Sequence, residues 1–460
     1  MSPKGRDSDC SGMENRYARA YPSAMRPNRR QLLAGLVALS FAPAAYGQAI
    51  IPELNPGTPD DQSGPLQDAL LRASAEGRPL FLPPGTYYAQ NLQVPSNLIV
   101  QGIPGKSVLA AAGTAPVARI AGSAHVRFES ITFASGNGGP EGTESGLLEI
   151  EASDHVTLTD CAFTGGKVSG ISIHDAAAEI NTCDFLGHGL AAIFSLDSRG
   201  LAVSGNRIAG CGNGGILIWG NASRRGSSTI IGNSISGVGA TAGGNGENGN
   251  GINVFRCDDV LIANNRIADC AFTAIRLNST NNVVVSGNLC SNSGEVAIFS
   301  EFAFTGSVIA DNIVDGAALG ISVTNMDQSG MVATVTGNVV RNIRAASAVN
   351  PDTRPIGIYA EAETTITGNT VYSVVGTGIR AGNGEFLRNV VIADNVVSAV
   401  NTGIGVSVVE KAGAVAITGN TISALDHGIV GMEWEKVVSD DLVRDAPRYP
   451  HVSLSGNVVG

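Results

Sequence analysis

A short phrase recurs along the second half of this chain: two strand-like stretches of alternating apolar residues, hinged on Gly-Asn. It reads Leu201-Ala-Val-Ser-Gly-Asn-Arg-Ile208, then Val283-Val-Val-Ser-Gly-Asn-Leu-Cys290, Ala333-Thr-Val-Thr-Gly-Asn-Val-Val340 and Thr364-Thr-Ile-Thr-Gly-Asn-Thr-Val371. It closes the chain at Val452-Ser-Leu-Ser-Gly-Asn-Val-Val459. The asparagines of the series are Asn206, Asn233, Asn265, Asn288, Asn312, Asn338, Asn369, Asn395, Asn420 and Asn457. Most steps are 23 to 32 residues, and the last is longer. A repeat of this length cannot bury its own apolar face, so neighbours must stack to make a continuous core.

Apolar residues at every second position mark β-strands with one face inward. The Gly or Asp before each asparagine permits a bend, and Asn itself tolerates left-handed backbone angles. Asparagines on successive coils would stack about 4.8 Å apart and hydrogen-bond in a column. A further strand of the form Gly-Ile-x-Val follows, at Gly170, Gly215, Gly251, Gly320, Gly357, Gly378, Gly403 and Gly428. Three strands per coil predict an all-β chain, a single-stranded right-handed parallel β-helix of three sheets. Composition agrees: 59 glycines and only 5% aromatic residues suit a narrow core of Val, Ile and Leu with many tight corners.

The N-terminal part reads differently. Residues 1–47 form a leader: Asn28-Arg29-Arg30-Gln31-Leu32-Leu33 precedes an apolar run to Ala42 and a small-residue stretch, with cleavage expected near Gly47 and Met25 as an alternative start. Arg29 and Arg30 before a moderately apolar segment resemble a twin-arginine export signal, which implies the twin-arginine machinery as partner and a periplasmic or secreted location. The segment is too short and too rich in Ala, Gly and Pro for a stable membrane span. Residues 48–110 read as a cap and the first coils, with an amphipathic helix over Pro65–Ala75 to cover the open end, and residues 111–460 as the β-helix.

The formal charge is −11, and because seven basic and three acidic residues lie in 1–47, the remainder carries −15. That balance argues against nonspecific nucleic-acid binding. A polyanionic ligand would need a local basic patch or a bridging cation, with calcium as the candidate. No Cys/His spacing resembles a zinc site, and no metal ligands are assigned.

Leu66 to Leu109, with its helix, the stretch Leu82-Pro-Pro-Gly-Thr-Tyr87 and the Gly102/Gly105 turn, resembles the entry module of pectate-lyase-like β-helix proteins. Joined to the Arg-Arg signal and the Gly-Asn repeats, the chain resembles a family of twin-arginine-translocated repeat proteins without assigned activity. The resemblance implies fold and export. It leaves the chemistry open among lyase, hydrolase, epimerase and inert adhesin.

Aligning the coils on the Gly-Ile position gives two columns of outward side chains. Two residues on come Phe194, Leu217, Asn253, Arg276, Phe299, Ser322, Tyr359 and Arg380; four on come His174, Trp219, Phe255, Asn278, Glu301, Thr324 and Glu361. Aromatic rings stack on sugars and planar donors grip hydroxyl or carboxylate groups, so Trp219, Phe255, Asn278, Tyr359 and Arg380 are the expected ligand-binding residues for a polysaccharide or oligosaccharide. Glu301 and Glu361 would lie two coils apart, about 9 to 10 Å, at the edge of the range for an inverting carboxylate pair. Arg276 or Arg380 would instead serve a lyase by neutralising a uronate or acting as base. The alternatives are a non-catalytic glycan-binding or envelope scaffold protein and a merely solvated sheet face.

Other features carry less. Gly187-His188-Gly189 and Asp258-Asp259 are similar to polygalacturonase elements, but their order is reversed and no Arg-x-Lys follows, so His188 reads as a turn residue and the acidic pair as a turn cap, with calcium binding as the alternative. Cys161 and Cys183 occupy the asparagine position on consecutive coils, as buried thiols or a disulfide. Met432 to Pro450 breaks the rhythm and reads as a loop or short helix, shielding the lower end or leaning over the groove.

Overall fold

The computed structural model of the protein describes residues 54–136, 138–244, 246–324 and 332–460. The expected leader, with Arg29, Arg30 and the Gly47 cleavage point, lies outside them.

From Leu80 onward the chain winds into a parallel β-solenoid. Fifteen strands, from Leu80–Phe81 to Val452–Ser455, stack in coil order into one sheet. The alternation seen in sequence becomes register: Val283 faces Ser307, and Val285 faces Ile309. The inward residues along this column, among them Val203, Ile230, Ile262, Val285, Ile309 and Val335, are fully buried. At about 25 cal/mol per Å² of apolar surface removed from water, this continuous core is the main stabilising term.

The other strands were expected as two separate sheets, and over most of the length they run as two stacks. In the last coils they fuse. Thr370–Ala381, Val396–Ser407 and Thr421–Glu433 each run on round the corner, with register shifts such as that between Val374 and Thr377. The two stacks therefore join as one 27-stranded sheet.

The asparagine column forms, with one correction. The left-handed residue is the one before each rung, as in Gly205 (φ 64°), Gly337 (φ 67°), Asp311 (φ 57°) and Asp394 (φ 56°), while the rung asparagines keep negative φ. Each rung donates twice to the next: Asn338 N–H and Nδ2 reach Asn369 Oδ1 at 2.9 and 3.0 Å, and Nδ2 also reaches Ile309 O at 2.9 Å. Cys183 heads the column, its N–H donating to Asn206 Oδ1 at 2.8 Å. Cys161 and Cys183 are free buried thiols.

The Gly-Ile glycines stack at the next corner. A Cβ on Gly320 would lie 2.3 Å from Gly357 O, and one on Gly403 2.4 Å from Gly428 O. On these coils the next backbone passes too close for a Cβ, while Ala192, Ala274 and Ala297 hold the same position on others.

The N-terminal helix, α1, spans Ser63–Ala75 and buries Leu66, Ala69, Leu70 and Ala73. Those positions recur at i, i+3, i+4 and i+7, the stripe that faces a core. The irregular C-terminal segment holds more than a loop: Lys436–Ser439 pairs antiparallel with Gly431–Glu433 as a hairpin, followed by a short helix at Leu442–Asp445. Among the described residues no helix is long and apolar enough to cross a membrane.

Candidate functional site

The outward columns stand in the register that the repeat implies. Leu217, Asn253, Arg276, Phe299, Ser322, Tyr359 and Arg380 pair coil to coil, and beside them run Trp219, Phe255, Asn278, Glu301 and Thr324. Glu361 continues the second column, with its N–H on Val323 O at 3.1 Å.

Two hollows open along this face and share Arg276. The first, about 290 Å³, is lined by Trp219, Asn253, Phe255, Asn278 and Phe302, with Gly246 and Glu247 arriving from the turn before Asn250. The second, about 370 Å³, holds Glu295, Phe299, Tyr359, Arg354, Arg380 and Glu435. Insertions at the coil corners supply the walls. The segment after Ile343 returns over the sheet, where Ser347 Oγ donates to Gly294 O at 2.8 Å and Asn350 Nδ2 to Glu295 Oε1 at 2.7 Å. The C-terminal hairpin brings Trp434 and Glu435 to Arg380. Gly246 (φ 101°) packs against the Arg276 guanidinium, and a Cβ there would lie 2.8 Å from Nη2.

Arg276 is gripped on its forked side. Its Nε and Nη2 donate to Glu301 Oε1 and Oε2 at 2.7 and 2.9 Å, and Asn278 Nδ2 adds a third donor to Oε1 at 2.9 Å. Its Nη1 lies 3.8 Å from Glu295 Oε2, and its carbon 5.0 Å from the Phe299 ring centre. Arg380 is engaged in the same manner, with Nη1 on Glu435 Oε2 and Nη2 on Trp434 O, both at 2.8 Å. The hydrogen bond from Arg380 holds the Glu435 carboxyl below the usual range. Tyr359 donates to Glu361 Oε1 at 3.1 Å, and burial, reinforced by the Glu361 charge, pushes its phenol far above the ordinary value.

The structure thus brings Trp219, Phe255, Asn278, Arg276, Tyr359 and Arg380 to one face, the first three in one hollow, the last two in the next, and Arg276 in both. Glu301 and Glu361 are different: each is only 3% exposed, and neither lines either of these two hollows. Glu295 and Glu435 were missed by the reading of the repeat. Glu295 precedes the strand Val296–Glu301, opposite Ala318 and Pro355 of the next coils, where a carboxylate is out of pattern. That anomaly was the available signal.

The weaker candidates resolve into structure. His188 is a buried turn residue whose Nε2–H donates to Phe163 O at 3.2 Å, and burial lowers its pKa to about 4. Asp258 Oδ1 accepts from Asn281 N–H and Nδ2, and Asp259 Oδ1 from Asn282 Nδ2, so the pair caps the following turn.

Two family descriptions match parts of the chain: right-handed β-helix region over residues 215–384, and periplasmic copper-binding protein (NosD) over residues 129–276. Both fit the right-handed β-helix superfamily. The donor set does not fit the copper of the second description. Among the described residues no three His, Cys, Asp or Glu side chains gather as a metal site, and the same holds for the calcium considered from sequence. No match is found among curated proteins.

Solved structures match over most of their lengths. A tailspike protein of E. coli bacteriophage HK620 in complex with pentasaccharide aligns at 11% identity, covering 83% of this chain and 76% of its own, with a TM-score of 0.53. The surface adhesin PfbA of Streptococcus pneumoniae aligns at 13% identity, with 81% and 90% covered and a TM-score of 0.47. The catalytic unit of an alpha-1,3-glucanase from Streptomyces thermodiastaticus aligns at 14%, with 88% and 67% covered and a TM-score of 0.44. At such identities the likeness is one of fold. Coil register, the right-handed β-helix description over residues 215–384 and the likeness to the tailspike together make the fold of the chain a right-handed parallel β-helix.

Proposed function

We propose that this is an exported protein that binds a polysaccharide in the periplasm or envelope, along the groove from Trp219 to Arg380. The observation that carries the reading is the alternation of ring faces (Trp219, Phe255, Phe299, Tyr359) with fixed polar groups on one sheet, walled by insertions. Parallel coils repeat such groups at about 4.8 Å, a spacing that serves a long ligand better than a small one. The pentasaccharide complex of the structurally similar tailspike is consistent with this use of the fold. Arg29 and Arg30 would direct export by the twin-arginine machinery.

Binding is favoured over turnover by the state of the two carboxylates first suspected. Both oxygens of Glu301 are already occupied, and Glu301 and Glu361 are buried away from the hollows. Hydrolysis with these two as acid and base would require the Arg276 fork to open.

The test is a glycan-binding panel with the full-length protein, with reducing-end release followed in parallel. Saturable binding weakened about tenfold or more by Trp219→Ala is the expected result, since stacking on one ring is worth about 1 to 3 kcal/mol at such sites. Absence of binding across the panel, or a Trp219→Ala variant that binds unchanged, overturns the reading. New reducing ends that vanish in Glu301→Gln would replace it with hydrolysis.

A further inference from the structure

We infer that the groove selects an uncharged, hydroxyl-rich glycan and rejects uronates. The inference rests on the glycan reading above and narrows its substrate class.

A groove with arginines on its floor invites the opposite conclusion, but the two buried ones, Arg276 and Arg380, already give two donors each to the protein. Arg276 presents its planar fork to Glu301, with Nη1 towards Glu295. Arg380 is closed by Glu435 and Trp434 O, and Arg354 Nε stands 3.9 Å from that same Glu435. At Arg276 a uronate carboxylate would have to expel Glu301 from a buried bidentate contact and leave that charge unpaired, and at Arg380 it would have to displace the half-exposed Glu435.

The charge balance points the same way. The two hollows are lined by three arginines against four carboxylates, Glu247, Glu295, Asp352 and Glu435. Behind the lining, Glu301 meets Arg276 and Glu361 meets Tyr359, two further carboxylates beneath the hollows. A cleft with low-dielectric walls focuses such an excess, so a polyanion meets repulsion as it approaches.

One further group asks for a hydroxyl. Glu295 is 6% exposed and lies in a wall built with Val296, Leu319 and Ile356. Its Oε1 accepts from Asn350, while Oε2 receives no hydrogen bond. In the other hollow the buried Trp219 Nε1 has no acceptor. Both atoms are closed to solvent and lack a hydrogen bond, which is costly; once a small side-chain shift opens the wall, one sugar hydroxyl can donate to Glu295 Oε2 and another can accept from Trp219 Nε1. A carboxylate offers Glu295 nothing to accept.

The experiment is calorimetric titration of the full-length protein with neutral gluco-, galacto- and manno-oligosaccharides, and with oligomannuronate and oligogalacturonate of matched length. Neutral chains are expected to bind at least about tenfold tighter, with an affinity that changes less than about twofold across added salt. Glu295→Gln, which keeps the shape and an acceptor for Asn350, should weaken neutral binding about tenfold. Uronates binding as tightly as neutral chains overturns the inference and leaves the glycan reading standing. Neutral binding that ignores Glu295→Gln overturns the assigned acceptor. Silence from both classes overturns the glycan reading, and this inference with it.

Discussion

Arg276 and Glu301, on adjacent coils, are joined by two parallel hydrogen bonds of 2.7 and 2.9 Å, with side chains only 12% and 4% exposed. A pair so enclosed is costly to break and cheap to replace. Arg276→Ala should lower stability by about 3 to 5 kcal/mol, because a buried carboxylate is left behind. The double variant Arg276→Met with Glu301→Leu should return to within about 2 kcal/mol of the parent. Urea-unfolding midpoints check both, and a single variant no worse than the double one would contradict the buried pairing. Loss of binding in Arg276→Ala therefore has meaning only alongside its unfolding curve.

The asparagine column makes a graded prediction. Asn338→Ala leaves Ile309 O without its amide donor, and Asn312 N–H and Nδ2 without their shared acceptor. With unsatisfied buried groups at about 1 to 3 kcal/mol each, the loss should exceed about 3 kcal/mol. Asn457→Ala, at the partly exposed end of the column, should cost about 1 kcal/mol or less. Thermal unfolding of the two variants should separate them clearly, and equal losses would mean that the rungs act independently of burial.

His188 predicts a pH dependence. Its folded-state pKa of about 4 lies below the ordinary histidine value of 6.5, through desolvation. Between those values the unfolded chain binds the proton and the folded chain does not. The stability tied to neutral His188 is therefore complete above about pH 6.5 and lost as pH falls towards 4, roughly 3 kcal/mol in all. In His188→Asn that component of the slope should vanish. Unfolding midpoints at pH 4.5 and 7.5 for both proteins are the measurement, and parallel slopes would refute it.

Arg380 fastens the C-terminal hairpin to the sheet through Glu435 and Trp434 O. Arg380→Ala should raise tryptic cleavage after Lys436 about tenfold while the coils stay intact. The depressed Glu435 carboxyl gives the same link an acid limit: it holds above the ordinary carboxylate pKa and is lost as pH drops through the lower, folded value. Unchanged cleavage in Arg380→Ala would show that the hairpin is held by other contacts.

The columns were legible in sequence because a stacked coil turns spacing into position. Once the Gly-Ile corner was aligned, Trp219, Phe255, Arg276, Tyr359 and Arg380 fell on one face without knowledge of any side-chain torsion. What repeat phase cannot encode is direction and partner. Glu301 stands in its column, yet its carboxylate turns to Arg276. Asn350 and Glu435 come from insertions whose paths owe nothing to the repeat, so no alignment of coils reaches them. The fused corner at Val374 and Thr377 was hidden for a related reason, since continuing a strand through a bend needs no special residue.

The asparagine column has a polarity and no memory of length. Every rung donates forward to the next, whether 23 residues separate them, as between Asn265 and Asn288, or 37, as between Asn420 and Asn457. The spine thus counts turns and ignores the chain between them. Gene duplication of one whole turn would lengthen the recognition face by a strand's width without redrawing any other turn. The corner excursions are free to diverge, so a lineage carrying this architecture can retune both the reach and the walls of its groove while inheriting its backbone unchanged.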